Sequence, residues 1–180
     1  MDKRQFYFNT TVESGLDEDP AAFAEAVSRI LQRKGGWDQW GFSFRATYPD
    51  ETGAADIRKR LLRFMTIQLC SNATIRGFGP DFDGMSVADC SDHFIRINVD
   101  RWRTGPKPKD ASMSLADYRQ YVVLHEVGHI LSHCSHTHHQ TSCAPDGRAP
   151  IMMQQTNGVG TCSWNPWPVA GVDDLEVHEW

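Results

Sequence analysis

Tyr121–His136 reads YVVLHEVGHILSHCSH, and both the fold and the chemistry expected of this chain start there. Within it His125, Glu126 and His129 form the pattern H-E-x-x-H. On a helix, residues four apart lie on one face about one turn apart, so both imidazoles can reach a single metal ion. Glu126 follows the first imidazole directly, which puts a carboxylate within reach of a metal-activated water. The bland alternative is a surface helix with two unrelated histidines. Against it, Tyr121, Val122, Val123 and Leu124 precede the motif as a run that belongs in a core. The stretch therefore predicts a buried helix carrying two zinc ligands and a general base, the parts of a zinc hydrolase.

Two ligands do not complete a catalytic zinc site, which usually has three protein ligands and a water. The residues after His129 offer His133, His136, His138 and His139. On a straight helix His133 would lie about 12 Å along the axis from His125, too far for one tetrahedral ion to join both. A third ligand must come after the helix breaks, and Ser132 and the polar run Ser135–Ser142 are places for that break. Taken one at a time, each of these histidines is as well explained by a solvated loop.

Upstream, Phe6, Phe8, Thr10 and Val12 alternate with polar residues, so Gln5–Val12 is expected to be a half-buried strand. Asp19-Pro20 opens a helix, with Asp as N-cap and Pro at the first position. Phe23, Val27, Ile30 and Leu31 form its apolar stripe, and Gly35-Gly36 ends it. Trp40, Phe42 and Phe44 mark a second strand up to about Ala46, Asp50–Gly53 a turn, and Arg63–Leu69 a third strand candidate, although Leu61–Leu69 alone also passes for a helix. Ser71–Val87, rich in Gly, Asp and Ser, reads as a long loop. His93–Val99 alternates as a strand, Arg101–Asp110 is a connector with two prolines, and Ser114 with Asp117 makes a capping box for the H-E-x-x-H helix. Strands interrupted by two long helices give an α/β or α+β class with a small sheet. Asp173–Trp180 reads as a solvated acidic terminus.

With 180 residues the chain makes one domain that can bury a core. A net charge of −5 speaks against a nucleic-acid partner. No apolar run approaches a membrane span, and MDKRQFYFNT lacks the apolar core of a signal peptide. Five cysteines, with Cys143 and Cys162 in Gly/Pro-rich surroundings, suit disulfides and an extracytoplasmic setting instead.

Further along, Ala149–Thr156 reads APIMMQQT, whose methionines must pack under something. This string, HEVGH with its trailing histidines, FIRIN followed by VDRW, YRQYVVLHEVGH, and Gly160-x-Cys162-Ser163-Trp164-Asn165-Pro166-Trp167-Pro168 together resemble an uncharacterised family of mostly secreted metzincin-like domains. The likeness is specific from about Cys90 to Pro168. It implies a metzincin-like fold: a small twisted sheet, a backing helix, the active-site helix, and a C-terminal subdomain of about 137–180 after an N-terminal one of about 1–136. It marks His125 and His129 as zinc ligands, Glu126 as base and Met152 as the methionine of a turn beneath the metal. The clan places Gly three residues after the second His and a third His three residues later; Ser132 and Ser135 stand there in this chain. His136, one residue late, is the ligand this comparison selects over His133, His138 and His139. The resemblance also implies disulfides Cys143–Cys162 and Cys70–Cys90, with Cys134 left as a free thiol.

The reading that results is a monomeric zinc-dependent metallopeptidase, probing a peptide or protein substrate held along an edge strand such as His93–Val99. Zinc would be the main holder of the developing oxyanion, because no tyrosine follows the Met-turn where clan members sometimes have one. The alternatives are a gluzincin-type hydrolase with a downstream carboxylate such as Glu176, or a zinc-stabilised binding domain that cleaves nothing.

Overall fold

A computed structural model describes residues 4–47, 63–108, 111–132 and 139–174 of the chain. Strand β1 (Arg4–Val12) buries Phe6 and Phe8 from alternate positions. Helix α1 (Pro20–Gln32) starts where the Asp19 carboxylate accepts the Ala21 N–H at 2.9 Å, and it buries Phe23, Val27 and Leu31. The chain is already extended at Arg33, ahead of the two glycines. A 3₁₀ turn (Trp37–Trp40) takes up Trp40, and Gly41, at φ +81°, redirects the backbone into β2 (Phe42–Ala46). Strand β3 (Phe64–Cys70) follows; the turn expected at Asp50–Gly53 lies outside the described residues.

Composition made Ser71–Val87 a loop, yet it contains helix α2 (Asn72–Arg76) and a 3₁₀ turn (Pro80–Phe82). Both are nucleated locally: the Ser71 hydroxyl accepts the Thr74 N–H at 3.2 Å, and Pro80 opens the second. Strand β4 (Val87–Asp89) and β5 (Phe94–Asn98) form a hairpin, turned by the Asp89 carboxylate accepting the Ser91 N–H at 3.0 Å. Asn98 then caps helix α3 (Val99–Thr104), which occupies the start of the expected connector. Helix α4 (Leu115–Leu131) begins at Ser114, whose hydroxyl accepts the Asp117 N–H.

The sheet order is β2-β1-β3-β5-β4, parallel except for β4. Phe42, Phe6, Phe8, Met65, Ile67, Leu69, Ile95 and Ile97 form one continuous apolar surface that packs with α1 and α4 in a single core. Each such side chain contributes about 1.5–3 kcal/mol on burial. The class is α+β, as the alternation of strands and helices predicts. One assignment changes. β5 sits between β3 and β4, so His93–Val99 does not hold an edge strand; the edge beside it is β4, because the hairpin returns the chain outside.

From Tyr118 onward helix α4 lacks a solvent face, burying Tyr118, Tyr121, Val123, Leu124 and Val127 along with Gln120, His125 and Glu126. A helix apolar all round must be covered on both sides. The sheet covers one side, and 139–174, which has a lone 3₁₀ turn (Gln155–Asn157) as regular structure, packs Ile151 and Met152 into the same core. Among the described residues no helix is long and apolar enough to cross a membrane.

Candidate metal centre

The four-residue spacing on α4 does what helix geometry requires. His125 Nε2 and His129 Nε2 stand 3.3 Å apart, their rings nearly perpendicular at 85°. His125 Nδ1 lies 2.7 Å from the Ile151 carbonyl. A carbonyl can only accept, so Nδ1 carries the proton and Nε2 keeps its lone pair, aimed at His129. Burial first, and then the neighbouring His129, hold the His125 pKa well below its usual value, which keeps the ring neutral as a metal ligand must be.

The helix ends at Ser132, where the sequence allowed a break, with φ −92° rather than a left-handed turn. His133, Cys134, His136 and His138 lie outside the described residues, and so does Glu176. Of the candidate third ligands, His139 is the one the described residues bring to the motif. Its ring stacks on His125 at 5.3 Å and 6°, and one ligand nitrogen from each of His125, His129 and His139 lies within 4.8 Å of the others. The polar loop that carries it is held by partners far along the chain. The Gln140 amide donates to the Val172 carbonyl at 2.6 Å, and the Gln154 amide nitrogen is 3.4 Å from His139 Nε2. No local pattern could have signalled them.

Beneath the helix runs Pro150–Met153. Met152 is buried, and a Cβ on Gly128 would meet its sulfur at 2.6 Å, so glycine in HEVGH lets the two chains touch. The Tyr121 hydroxyl donates to the Met153 carbonyl at 3.1 Å and accepts the Gln155 N–H at 2.9 Å. The Asp173 carboxylate accepts three N–H groups: Ile151 at 2.9 Å, Met152 at 3.1 Å and Val169 at 2.8 Å. Asp173 therefore does not open a solvated tail. It is 1% exposed and ties the segment under the motif, a role set by burial that charge patterning alone does not reveal.

A cavity of about 460 Å³ opens over these groups. Phe82, Met85 and the Ser86–Ala88 edge line one part of it, Gln154 and Asn157 another, with His125, Glu126, His129 and His139 among its walls. Burial raises the Glu126 pKa to about 8. Three larger hollows, about 670, 650 and 490 Å³, lie by Trp167, between α1 and α4, and between β1 and α1, and no histidine lines any of them.

Cys143 and Cys162 form a disulfide, as the resemblance implied. Cys70–Cys90 does not form. Cys70 is a free, buried thiol whose pKa is pushed up to about 12, chiefly by burial and then by Glu13. It lies on β3, whereas Cys90 follows β4 with β5 between them. Two strand spacings amount to about 10 Å, beyond the roughly 7 Å a disulfide spans between Cα atoms. Cys90 is itself disulfide-bonded, to a partner outside the described residues.

The donor set fits zinc. Three imidazoles suit that ion, and two nitrogens on a tetrahedral zinc are about 3.3–3.4 Å apart given Zn–N bonds of about 2.0–2.1 Å. The 3.3 Å between His125 and His129 matches that edge. No curated protein and no solved structure matches this chain. The family described as "Protein of unknown function (DUF3152)" matches residues 1–163. With 163 of 180 residues covered, the chain belongs to the DUF3152 family.

Proposed function

We propose that this chain is a zinc-dependent metallopeptidase of metzincin-like kind, with His125, His129 and His139 as metal ligands and Glu126 as general base. The observation that carries the reading is the convergence of three imidazole nitrogens within 4.8 Å beside a buried glutamate, all on one cavity. A zinc ion held by His125, His129 and His139 would supply a Lewis acid for the scissile carbonyl and for the attacking water. The Ile151 carbonyl orients His125 through Nδ1, leaving Nε2 for the metal. Burial alone favours the neutral Glu126, and a cation held beside it would favour the carboxylate, which takes the proton of the attacking water and delivers it to the leaving amine. The outer edge of β4, bordering the cavity at Ser86–Ala88, is placed to align an extended peptide by strand addition. A zinc kept for structure alone has no use for a carboxylate on its cavity, which favours catalysis over a binding domain. The Cys143–Cys162 bridge and the second disulfide at Cys90 support an oxidising, extracytoplasmic site of action.

The test is hydrolysis of a mixed peptide library by the zinc-loaded protein, with and without chelator. Glu126→Gln is expected to retain one zinc and lower kcat by at least about 10²-fold, the lower range for a lost general base. Near-full activity in that variant removes Glu126 from the mechanism. Zinc content of His139→Ala and His136→Ala decides the third ligand: loss in the first and retention in the second supports the set proposed.

A further inference from the structure

We infer that Asp173 is a positioning residue for the metal centre: by fixing the Ile151–Met152 backbone it sets the orientation and tautomer of His125. This inference rests on the proposed metal site and assigns a role in it to a residue 44 positions beyond the H-E-x-x-H motif.

The link runs through one peptide unit. Ile151 donates its N–H to Asp173 Oδ2 at 2.9 Å, and its carbonyl accepts from His125 Nδ1 at 2.7 Å. The same carboxylate takes the next N–H, that of Met152, on Oδ1 at 3.1 Å, so two successive peptides are held by two oxygens. A third bond, from Val169 N–H to Oδ2, and the Asp173 N–H to the Val169 carbonyl at 2.8 Å anchor the aspartate to its own turn. No regular strand or helix holds Ile151, so these bonds decide where its carbonyl points. Outer partners that orient a ligating imidazole typically change metal affinity about 10- to 100-fold when they are removed. A neutral amide cannot replace this carboxylate: whichever way an Asn side chain is turned, its N–H₂ faces at least one of the three N–H groups.

The experiment uses the full chain with cobalt(II) as probe, reading affinity by titration and ligand geometry by the cobalt d–d absorption spectrum. Asp173→Asn is expected to bind cobalt about 10- to 100-fold more weakly, with an altered spectrum, while circular dichroism reports a folded protein. Phe8→Ala, a change in the sheet core remote from the site, serves as the comparison and is expected to bind as the parent does. Parent-like binding by Asp173→Asn overturns the inference, as does an equal loss in Phe8→Ala, which would make the effect one of global stability. If Asp173→Asn does not fold, Asp173→Glu, which keeps the charge on a longer arm, is judged by the same criteria. A parent protein that binds no cobalt or zinc refutes the proposed function and leaves a separate reading of Asp173. In that metal-free protein, nitrogen NMR of His125 is expected to show the Nδ1–H tautomer alone, and a mixture of tautomers in the variant. An unchanged tautomer there overturns the inference.

Discussion

The two sides of helix α4 are both packed against other parts of the chain and are held by different forces. On the sheet side, Phe6, Phe8, Met65, Ile67, Leu69, Ile95 and Ile97 come from strands whose backbone groups satisfy one another in ladders. On the other side, 139–174 buries Ala149, Ile151, Met152, Gln155, Thr156, Asn165 and Asp173 with almost no ladder at all. A buried backbone must still find partners. Here side chains provide them: the Gln155 amide donates to the carbonyls of Pro150 at 3.1 Å and Asn165 at 2.8 Å, and its oxygen accepts the Asn165 N–H at 3.2 Å. Asn165 in turn donates to the carbonyls of Ala149 at 2.9 Å and Trp167 at 2.6 Å. The difference teaches where adaptability lies. A ladder fixes strands in register, whereas a segment held by three or four amides and carboxylates can set one carbonyl, that of Ile151, where it meets the His125 imidazole.

The comparison breaks or holds on a pair of substitutions, which carry the largest expected effects. Phe8→Ala removes a fully buried ring from the sheet face and is expected to cost about 3–5 kcal/mol, leaving zinc affinity unchanged. Gln155→Leu keeps nearly the same volume but strands the Asn165 carbonyl and N–H, while the Pro150 carbonyl keeps the Met153 N–H at 3.0 Å. At about 1–3 kcal/mol for each buried group left unpaired, a loss of about 2 kcal/mol or more follows, and zinc affinity falls with it. Denaturant unfolding with parallel zinc titration measures both. A Gln155→Leu protein as stable as the parent would mean that the apolar contacts of 139–174 suffice, and the contrast would collapse.

The same contrast explains what the sequence could reveal. β1, β3 and β5 and helix α1 carry their own periodicities, and Asp19-Pro20 and Ser114 mark helix starts by local capping chemistry. The His125–His129 pair is legible because helix geometry alone joins residues four apart. Helices α2 and α3 are too short for a periodic signal; Ser71, the cap of α2, opens a stretch rich in Gly, Asp and Ser that reads as a loop, and Asn98, the cap of α3, lies in the alternating run His93–Val99 that reads as a strand. His139 and Asp173 are different in kind: one is steadied through Gln140 and Gln154, the other through Ile151, Met152 and Val169. Those contacts depend on the completed fold, so the polar loop and the acidic terminus look alike in sequence and solvated. The proposed Cys70–Cys90 pair fails for a related reason, since only the strand order places β5 between them.

A smaller effect is expected from the covalent tie. The Cys143–Cys162 bridge joins residues 19 apart across the least regular part of the chain. Loop-closure entropy for such a span corresponds to about 3 kcal/mol. Cys143→Ser with Cys162→Ser is therefore expected to lower stability by about 2–3 kcal/mol and to leave the zinc stoichiometry at one. Loss of zinc together with the bridge would show that the side-chain network cannot hold Ile151 unaided.

The smallest effect sharpens the contact between the two sides. Gly128 lies in α4, where alanine is favoured over glycine by about 1 kcal/mol in an ordinary helix interior. Here a Cβ would stand 2.6 Å from Met152 Sδ and 2.7 Å from Trp37 Cζ2. The methionine could swing away, but the indole is fixed by its N–H to the Leu124 carbonyl at 2.9 Å and by Trp40, 5.3 Å away between ring centroids. Overpacking of this kind costs about 1–3 kcal/mol. It exceeds the helix gain over most of that range, so Gly128→Ala is expected to be destabilised by about 1–2 kcal/mol. That corresponds to a fall in Tm of roughly 2–8 °C for a chain of this size. Relief through Met152 would drag Ile151, so zinc affinity should fall with Tm; relief through Trp37 would lower Tm alone. A variant more stable than its parent would show that the two sides of α4 do not meet as tightly at Gly128 as these distances require.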